Sequence, residues 1–458
     1  MESLPTIMEA GEQFSVSIDT ARAAYCRLKE EGYISLSKNV GAKVIVHRQE
    51  QEIAQYVQTF FSCRKNALID LVQSFHPLFG RAQLVGLQHT PLELLEQVDS
   101  LPRSQEELRA PYAVWAFLEQ KYAALGNDIL MRLAWQVYMF VHAPFLGVEG
   151  NLAYLEGAEC YERDTAFLCQ QKDWTALQEL IARFQHNFCD ALDRFYREKV
   201  TSPSPGEEIV FAWNSYKKPS QLCYTLAMEL LARISRGEYP VGSLLPTAKQ
   251  LALEMGVSGS TVRRAVGLLG SIGVVKSAQS VGARVLSIDQ TTENSDVTQP
   301  VLQRRLLDMA QSLQLFALSS REVARLTLSA PGADVMQDIH RELTKIKARG
   351  RYELMDYAIL TILSTRAPRQ AIRTVYSELL RQLFWGRALN GMKGTQAVIN
   401  AAYRPYLDGL LHSLKERDIP QFAAWLEALT TYDLRETIVY LKKIHVPGAE
   451  KVFIPEIS

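Results

Sequence analysis

The sequence predicts a mainly α-helical chain in which a small unit, helices closed by a two-stranded β wing, occurs twice, each copy preceding an all-helical body. Three observations carry this expectation. Along Leu245–Leu286 the apolar pattern changes from helical to strand-like after Gly273. Leu4–Val44 matches Leu245–Val285 without a gap at 14 of 41 positions, where unrelated sequences would share roughly 2 or 3. Finally, residues from Gln51 to Val200 and from Val301 to Lys443 keep apolar side chains at i, i+3 and i+4 and show no extended alternation.

The identities of the repeat fall at Leu4, Pro5, Thr6, Val16, Ser17, Thr20, Arg22, Ala24, Leu28, Gly32, Val40, Gly41, Ala42 and Val44. They are a cap, a turn, an inward face and a wing glycine, so the repeat concerns one supersecondary unit. In the first copy, Met1–Ser3 leaves no room for a leading helix. The three-helix unit is therefore expected to be truncated at its N-terminal side, with an apolar face of the kind that marks an interface. Helices follow over Ala67–Phe75, Pro91–Val98, Gln105–Ala124, Asn127–Val141, Asn151–Gln170 and Trp174–Arg197. Thr201–Gly206, TSPSPG, reads as a linker.

The second copy has its leading helix. Ser220–Arg236 carries Leu222, Leu226, Leu230 and Ile234 on one side and runs into the turn Gly237-Glu238-Tyr239-Pro240. Thr247 caps a helix over Ala248–Met255, with Ala248, Leu251, Ala252 and Met255 on one face, and Gly256 ends it. Ser258 or Ser260 caps the next helix, which points Val262, Ala265, Val266 and Leu269 inward. Val274-Val275 and Val281–Val285 bracket a polar turn at Lys276–Ser280. A polar stretch, Ile288–Pro300, leads into the last helices.

The expected domains are a truncated winged unit (1–48), a helical body (49–200), a linker (201–219), a winged unit (220–288), a linker (289–299) and a second body (300–458). The bodies themselves share a signature. Asp173 and Asp418 each open a long helix, and Tyr161 and Tyr406 precede them by the same interval. A full tandem duplication is expected.

A helix-turn-helix with a wing is a DNA-reading shape, because a helix fits the major groove while a wing lies against the backbone. The whole chain has no net charge, so no global basic field advertises nucleic acid. Locally, from Lys217 to Leu286, nine basic residues oppose Glu229, Glu238 and Glu254, a net of +6. Met1–Arg48 is neutral, so the two copies are not expected to hold phosphates equally.

The stretch LPTAKQLALEMGVSGSTVRRAVGLLGSIGVV…VGARV resembles the winged helix-turn-helix of the GntR family of bacterial transcription regulators, over Leu222–Leu286 and, less fully, Leu4–Val46. The resemblance implies that Lys249, Gly259, Ser260, Thr261, Arg263 and the wing around Gly282 approach DNA. With the neighbouring basic and capping residues, the expected contact set is Lys249, Ser258, Ser260, Thr261, Arg263, Arg264, Lys276, Gly282 and Arg284. In the first copy it is Ser17, Thr20, Arg22 and Lys43. Lys249 replaces the family's usual Arg and lacks its bidentate fork. Gly259 stands where an Arg is common, Met8 replaces a basic residue, and Asp19 is unfavourable against phosphate unless it accepts from a cytosine amino group.

The helical bodies look like the all-α effector-binding domains of the FCD type, on Phe117-Leu118…Leu125-Gly126-Asn127-Asp128-Ile129-Leu130. That group's metal-binding His and Asp fall on Leu118 and Val114. In the second body Asp356 fits the Asp position, but Leu360 occupies the His. The resemblance thus implies the fold without the metal, and no cofactor is expected.

No HxxH or HExxH pair, P-loop, helix-opening GxGxxG or GxSxG occurs, which gives no basis for an enzyme. The six cysteines show no metal spacing and read as buried thiols of a reducing compartment. With neither a signal peptide nor an apolar run of 18 residues, a cytoplasmic location without membrane contact is expected. The aromatic stripe Tyr112, Trp115, Phe117, Tyr122, Trp135, Tyr138 and Phe140 reads as core or as the lining of an effector site. The expected function is sequence-specific binding of a double-stranded DNA operator by a two-winged pseudo-dimer, controlled by a small effector, with a homodimer possible. The alternative is a protein–protein assembly module with degenerate DNA-binding units.

Overall fold

The computed structural model describes residues 4–13, 17–37, 41–45, 49–96, 118–155, 157–201, 206–213, 219–235, 237–278, 281–287, 294–331 and 334–457. The chain opens with α1 (Ile7–Gln13), which starts at a reciprocal cap: Thr6 N–H donates to Glu9 (2.7 Å) and Glu9 N–H to Thr6 Oγ1 (3.2 Å). Ser17 caps α2 (Ile18–Glu30) by accepting from Thr20 N–H at 3.1 Å. Gly32, in the left-handed region at φ 79°, then turns the chain into the antiparallel pair β1 (Ile34–Ser37) and β2 (Gly41–Val44).

Helices continue with α3 (Glu50–Ser62), α4 (Lys65–Val72), a π-helical turn at His76–Gly80, α5 (Arg81–His89), α6 (Asp128–Val137), α7 (Ala158–Gln171) and α8 (Trp174–Glu198). The helix expected over Asn151–Gln170 is shorter. Asn151–Tyr154 forms only a 3₁₀ turn, and α7 begins after Gly157, which takes φ 76° and interrupts any earlier helix. Of Gln105–Ala124, residues 105–117 lie outside the described residues, as do Tyr112, Trp115 and Phe117 of the aromatic stripe. Tyr122, Trp135 and Tyr138 are buried.

The second winged unit consists of α9 (Pro219–Ser235), α10 (Ala248–Met255), α11 (Gly259–Ser271), β3 (Val275–Ala278) and β4 (Gly282–Val285). Lys276 lies in β3 rather than in the turn, because β3 pairs residue by residue with β4 and places Lys276 opposite Arg284. Six long helices follow: α12 (Pro300–Leu328), α13 (Val335–Arg349), α14 (Met355–Arg366), α15 (Gln370–Gln382), α16 (Gln396–Lys415) and α17 (Ile419–Lys443).

The chain forms two compact units that interleave along the sequence. The first contains Met1–Val72, Thr90–Ala123 and Met131–Val210; the second contains Gln73–His89, Ala124–Leu130 and Phe211–Ser458. Within the first, the winged residues form a small core of Ala10, Ala21, Tyr25, Ile34 and Ala42. An aromatic cluster holds the helices, with Phe61 and Phe195 edge to face at 4.7 Å and Phe145 and Phe188 at 5.4 Å.

In the second unit one core runs without a break from the winged residues Leu230, Val262 and Leu269 to Leu306, Ala310 and Leu441 on α12 and α17. Tyr224 of α9 meets Trp385 edge to face at 5.7 Å, so this winged unit is seated on its helical body. Several polar groups buried here are paired. Asn127 donates to Gln311 O and Gln314 Oε1 (2.8 and 2.6 Å), and Gln314 donates in turn to Leu125 O and Phe453 O. Glu427, fully buried, faces both Arg81 and Arg321, and burial pulls the Arg81 guanidinium down to about 10.

One helical run among the described residues, α6 continued through a π-helical Tyr138–His142 into Ala143–Gly147, is long and apolar enough by composition to cross a membrane; 56% of its apolar stretch is buried within the protein. Its Leu130, Leu133 and Val141 are core residues.

Candidate nucleic-acid interface

The second winged unit gathers hydroxyls, free N–H groups and positive charge at the start of α11. Ser258 Oγ accepts from Thr261 N–H at 3.2 Å and lies 2.8 Å from both Ser260 Oγ and Thr261 Oγ1. The first turn of a helix carries unpaired N–H groups and a partial positive charge, a natural seat for a phosphate. Arg263 and Arg264 are exposed in the turn that follows, and Lys249 is exposed at the start of α10. A Cβ on Gly259 would lie 3.9 Å from Arg263 Nη1, so the Arg263 side chain folds back towards the helix N-terminus, beside the position left bare by Gly259. On the wing, Lys276 and Arg284 face each other across the strands, and Arg284 donates to Gly242 O at 2.6 Å. Gly282 takes φ 110° where the wing turns, a backbone that L side chains rarely adopt.

The acidic residues of this region share one cation. Arg233 pairs with Glu229 at 3.0 Å, Glu254 at 2.5 Å and Glu238 at 3.9 Å. The hydrogen bonds that Arg233 donates to Glu254, and then to Glu229 and Tyr239, raise its guanidinium above the usual value. All three carboxylates counted against the basic residues are therefore taken by one arginine. Among the described residues, Lys249, Arg263, Arg264 and Lys276 have no acidic partner. Sequence reasoning missed this arrangement; its only local trace was the Glu229–Arg233 spacing of four.

The first winged unit has the same local geometry and different chemistry. Leu4 N–H donates to Ala42 O at 2.8 Å, as Leu245 N–H does to Ala283 O; both wings pair Ile34↔Val44 or Val275↔Val285 at their base. Ser17 Oγ and Thr20 Oγ1 lie 2.7 Å apart at the start of α2. Arg22, however, is bound to Asp19 at 2.9 Å. Lys43 is half-buried on β2 opposite Ser35. The positions that correspond to Lys249, Arg264 and Lys276 are Met8, Ala23 and Ser35. Ala24 is exposed, whereas Ala265, its counterpart, is completely buried under α9.

Each helical body also holds buried polar groups. In the first unit, Lys121 lies 3.6 Å from Glu162 and over the Tyr161 ring at 5.0 Å. Burial pulls the Lys121 ammonium down to about 8, and burial together with the Lys121 charge pulls the His142 imidazole down to about 3. His142 stacks on Tyr138 at 5.3 Å. Leu118, at the position of the family's metal-binding His, is buried and apolar. In the second unit Leu360 is likewise buried, and Asp356 lies instead in a cluster with Asp433 and Tyr403.

Residues 224–285 match the model for bacterial regulatory proteins of the gntR family. Over 65 residues the chain is 42% identical to the uncharacterized HTH-type transcriptional regulator YieP of Escherichia coli (strain K12); the match covers 14% of this chain and 28% of that relative. Similar solved structures include a Streptococcus agalactiae GntR, 18% identical, covering 46% of this chain and 99% of the other at a TM-score of 0.22. A GntR family member from Pseudomonas syringae pv. tomato str. DC3000 is 16% identical, with 50% and 90% covered at a TM-score of 0.21. At such scores neither structure bears on the arrangement of the chain.

Proposed function

We propose that this protein is a DNA-binding transcription regulator of GntR type, read chiefly through its second winged unit. The observation that carries the reading is the set of exposed cations, Lys249, Arg263, Arg264 and Lys276, around a serine-capped helix start whose acidic neighbours are all tied to Arg233. The match of residues 224–285 to the gntR model supports it. In this reading Arg263 and Arg264 meet guanine edges or phosphates, the α11 N-terminus seats a phosphate, and the wing lies along the backbone.

The two winged units are the halves of an intramolecular pseudo-dimer produced by tandem duplication, which supplies unequal readers for unequal half-sites. Shared caps and wing registers support this, as do the left-handed Lys172 and Arg417 (φ 55° and 56°) that precede the aspartate caps of α8 and α17. The Asp19–Arg22 pair makes the first unit the weaker reader. The helical bodies act as effector sensors, a ligand shifting DNA affinity by binding two arrangements unequally. Titration of the region upstream of the protein's own gene with the full chain tests the reading. Salt-sensitive binding that Arg263→Ala with Arg264→Ala largely abolishes is expected. A double variant that binds as tightly as the parent removes α11 as the reading helix.

A further inference from the structure

Resting on the pseudo-dimer reading above, we propose that α12 carries the pairing face of the repeated unit and that the chain fills this face with its own first half. One chain then works alone where a two-fold operator normally takes two. In sequence, Asp308, Gln311, Ser312 and Gln314 interrupt the apolar residues of α12, a polar side that a helix on the outside of a bundle gives to water. Yet every residue from Leu306 to Ser320 is buried. Part of the cover comes from the second half. Phe316 meets Tyr376 of α15 edge to face at 5.0 Å, Ser320 Oγ lies 3.2 Å from Thr430 Oγ1 of α17, and Leu306 and Ala310 share a core with the winged residues. The amides of Gln311 and Gln314 are covered instead by Leu125–Asn127, 184 to 189 positions earlier in the chain.

The fit is specific on both sides. Asn127 Oδ1 accepts from Leu130 N–H at the start of α6 (2.8 Å), which aims its Nδ2 at Gln311 O and Gln314 Oε1. Gln311 donates back to Gly126 O at 3.3 Å and Gln314 to Leu125 O at 2.8 Å. Gly126 takes φ 60°, and a Cβ there would strike Lys451 O. Buried, matched amides set register more than strength. Arg304 and Asp128 add an ion pair at the exposed rim, at 3.0 Å. Glu427, fully buried, takes one arginine from each half, Arg81 and Arg321. The repeat explains why these segments meet. His76–Gly80, which packs on α12, corresponds to Ala317–Arg321 by the offset of the winged units. By the offset of Tyr161 and Tyr406 it corresponds to Arg321–Arg325. Both stretches lie in α12, so the helix meets its own equivalent, the arrangement of an isologous two-fold face. A face filled in this way is closed to a second copy of the chain.

Sedimentation equilibrium of the full chain, from nanomolar to micromolar concentration, is expected to give the single-chain mass of 51.7 kDa throughout. A two-chain particle overturns the proposal. The face itself is tested by placing a protease site in the Thr201–Gly206 linker of the full chain and cleaving there. The two pieces are expected to stay together as one particle of the uncut mass; pieces that part on cleavage, folded or not, overturn the proposal. Asn127→Asp keeps the oxygen that caps α6 but sets a carboxylate against Gln311 O and Gln314 Oε1, both acceptors. It should raise the dissociation constant of the cleaved particle, read on dilution, by about tenfold or more. Arg304→Asp, which sets a carboxylate against Asp128 on the rim, gives the same comparison by a smaller factor without touching the buried amides. Circular dichroism of each uncut variant establishes that it is folded, and cleaved variants as tight as the parent overturn the assignment of the face. These measurements contain no DNA, so their outcome is independent of whether the winged units bind an operator.

Discussion

Asp19 holds the guanidinium of Arg22 at 2.9 Å, while at the equivalent place in the second winged unit Ser260 stands beside an Arg263 with no acidic partner. An acidic residue thus separates an occupied cation from an available one on helix starts that share the serine cap, the threonine and the arginine. Replacing it should transfer the property. Asp19→Ser is expected to strengthen DNA binding by the full chain and to steepen its salt dependence by about one counterion. Anisotropy titrations of a fixed duplex across a series of salt concentrations measure both; an unchanged slope would show that the first winged unit does not touch the backbone.

Arg233 has a different role, since it gathers Glu229, Glu238 and Glu254. Arg233→Met leaves three carboxylates without their cation next to α10. The protein should lose a few degrees of thermal stability. DNA affinity should fall although the residue makes no DNA contact. Adding Glu254→Gln should restore part of the affinity; a variant pair with identical DNA affinity would refute the charge-gathering role.

Packing in the second body makes a sharper demand at Gly409 on α16. A Cβ there would come within 2.3 Å of the Trp425 indole. Alanine favours a helix over glycine by about 1 kcal/mol, whereas overpacking a rigid ring costs about 1–3 kcal/mol. The clash should win, so Gly409→Ala lowers the denaturation midpoint. A midpoint that rises instead would mean that Trp425 moves aside freely.

Asp433 predicts a pH dependence of stability. Its carboxyl is held well above the usual carboxylate range, first by burial and then by the Asp356 charge. The folded protein therefore keeps a proton that the unfolded chain releases near pH 4. Stability from this group is full below that point and declines as pH rises towards the folded value. Asp433→Asn removes this decline, so its unfolding midpoint should exceed that of the parent at neutral pH and converge with it in acid. Urea titrations at several pH values show the difference, and parallel curves would exclude the assignment.

The helix caps and the turns into the two strand pairs were legible in the sequence because their determinants are local. Thr6, Ser17, Thr247 and Ser258 cap helices through bonds to residues three positions on, and Gly32 and Gly273 mark the turns into the strands. Of the contact candidates, Lys249, Ser260, Arg263 and Arg264 are exposed and Thr261 is half-buried. Lys276 was misplaced into the wing turn because its polarity masked a strand position that pairing with Arg284 defines. Missed altogether were the charge-gathering by Arg233 and the buried cluster of Asp433, which sits among Leu429, Leu434 and Ile438 on a helix face that reads as core.

By itself the sequence determined the mainly helical class, the repeated cap–turn–wing pattern and the basic bias of the second copy, all set by short-range hydrogen bonding and apolar period. Tertiary structure decided the rest. It drew three glutamates, as far as 21 residues away, onto Arg233, joined Asp356, Tyr403 and Asp433 from three helices, and placed Gln73–His89 in the same compact unit as α12. Such groupings depend on which faces pack together, and apolar period records that a face is buried without recording what buries it.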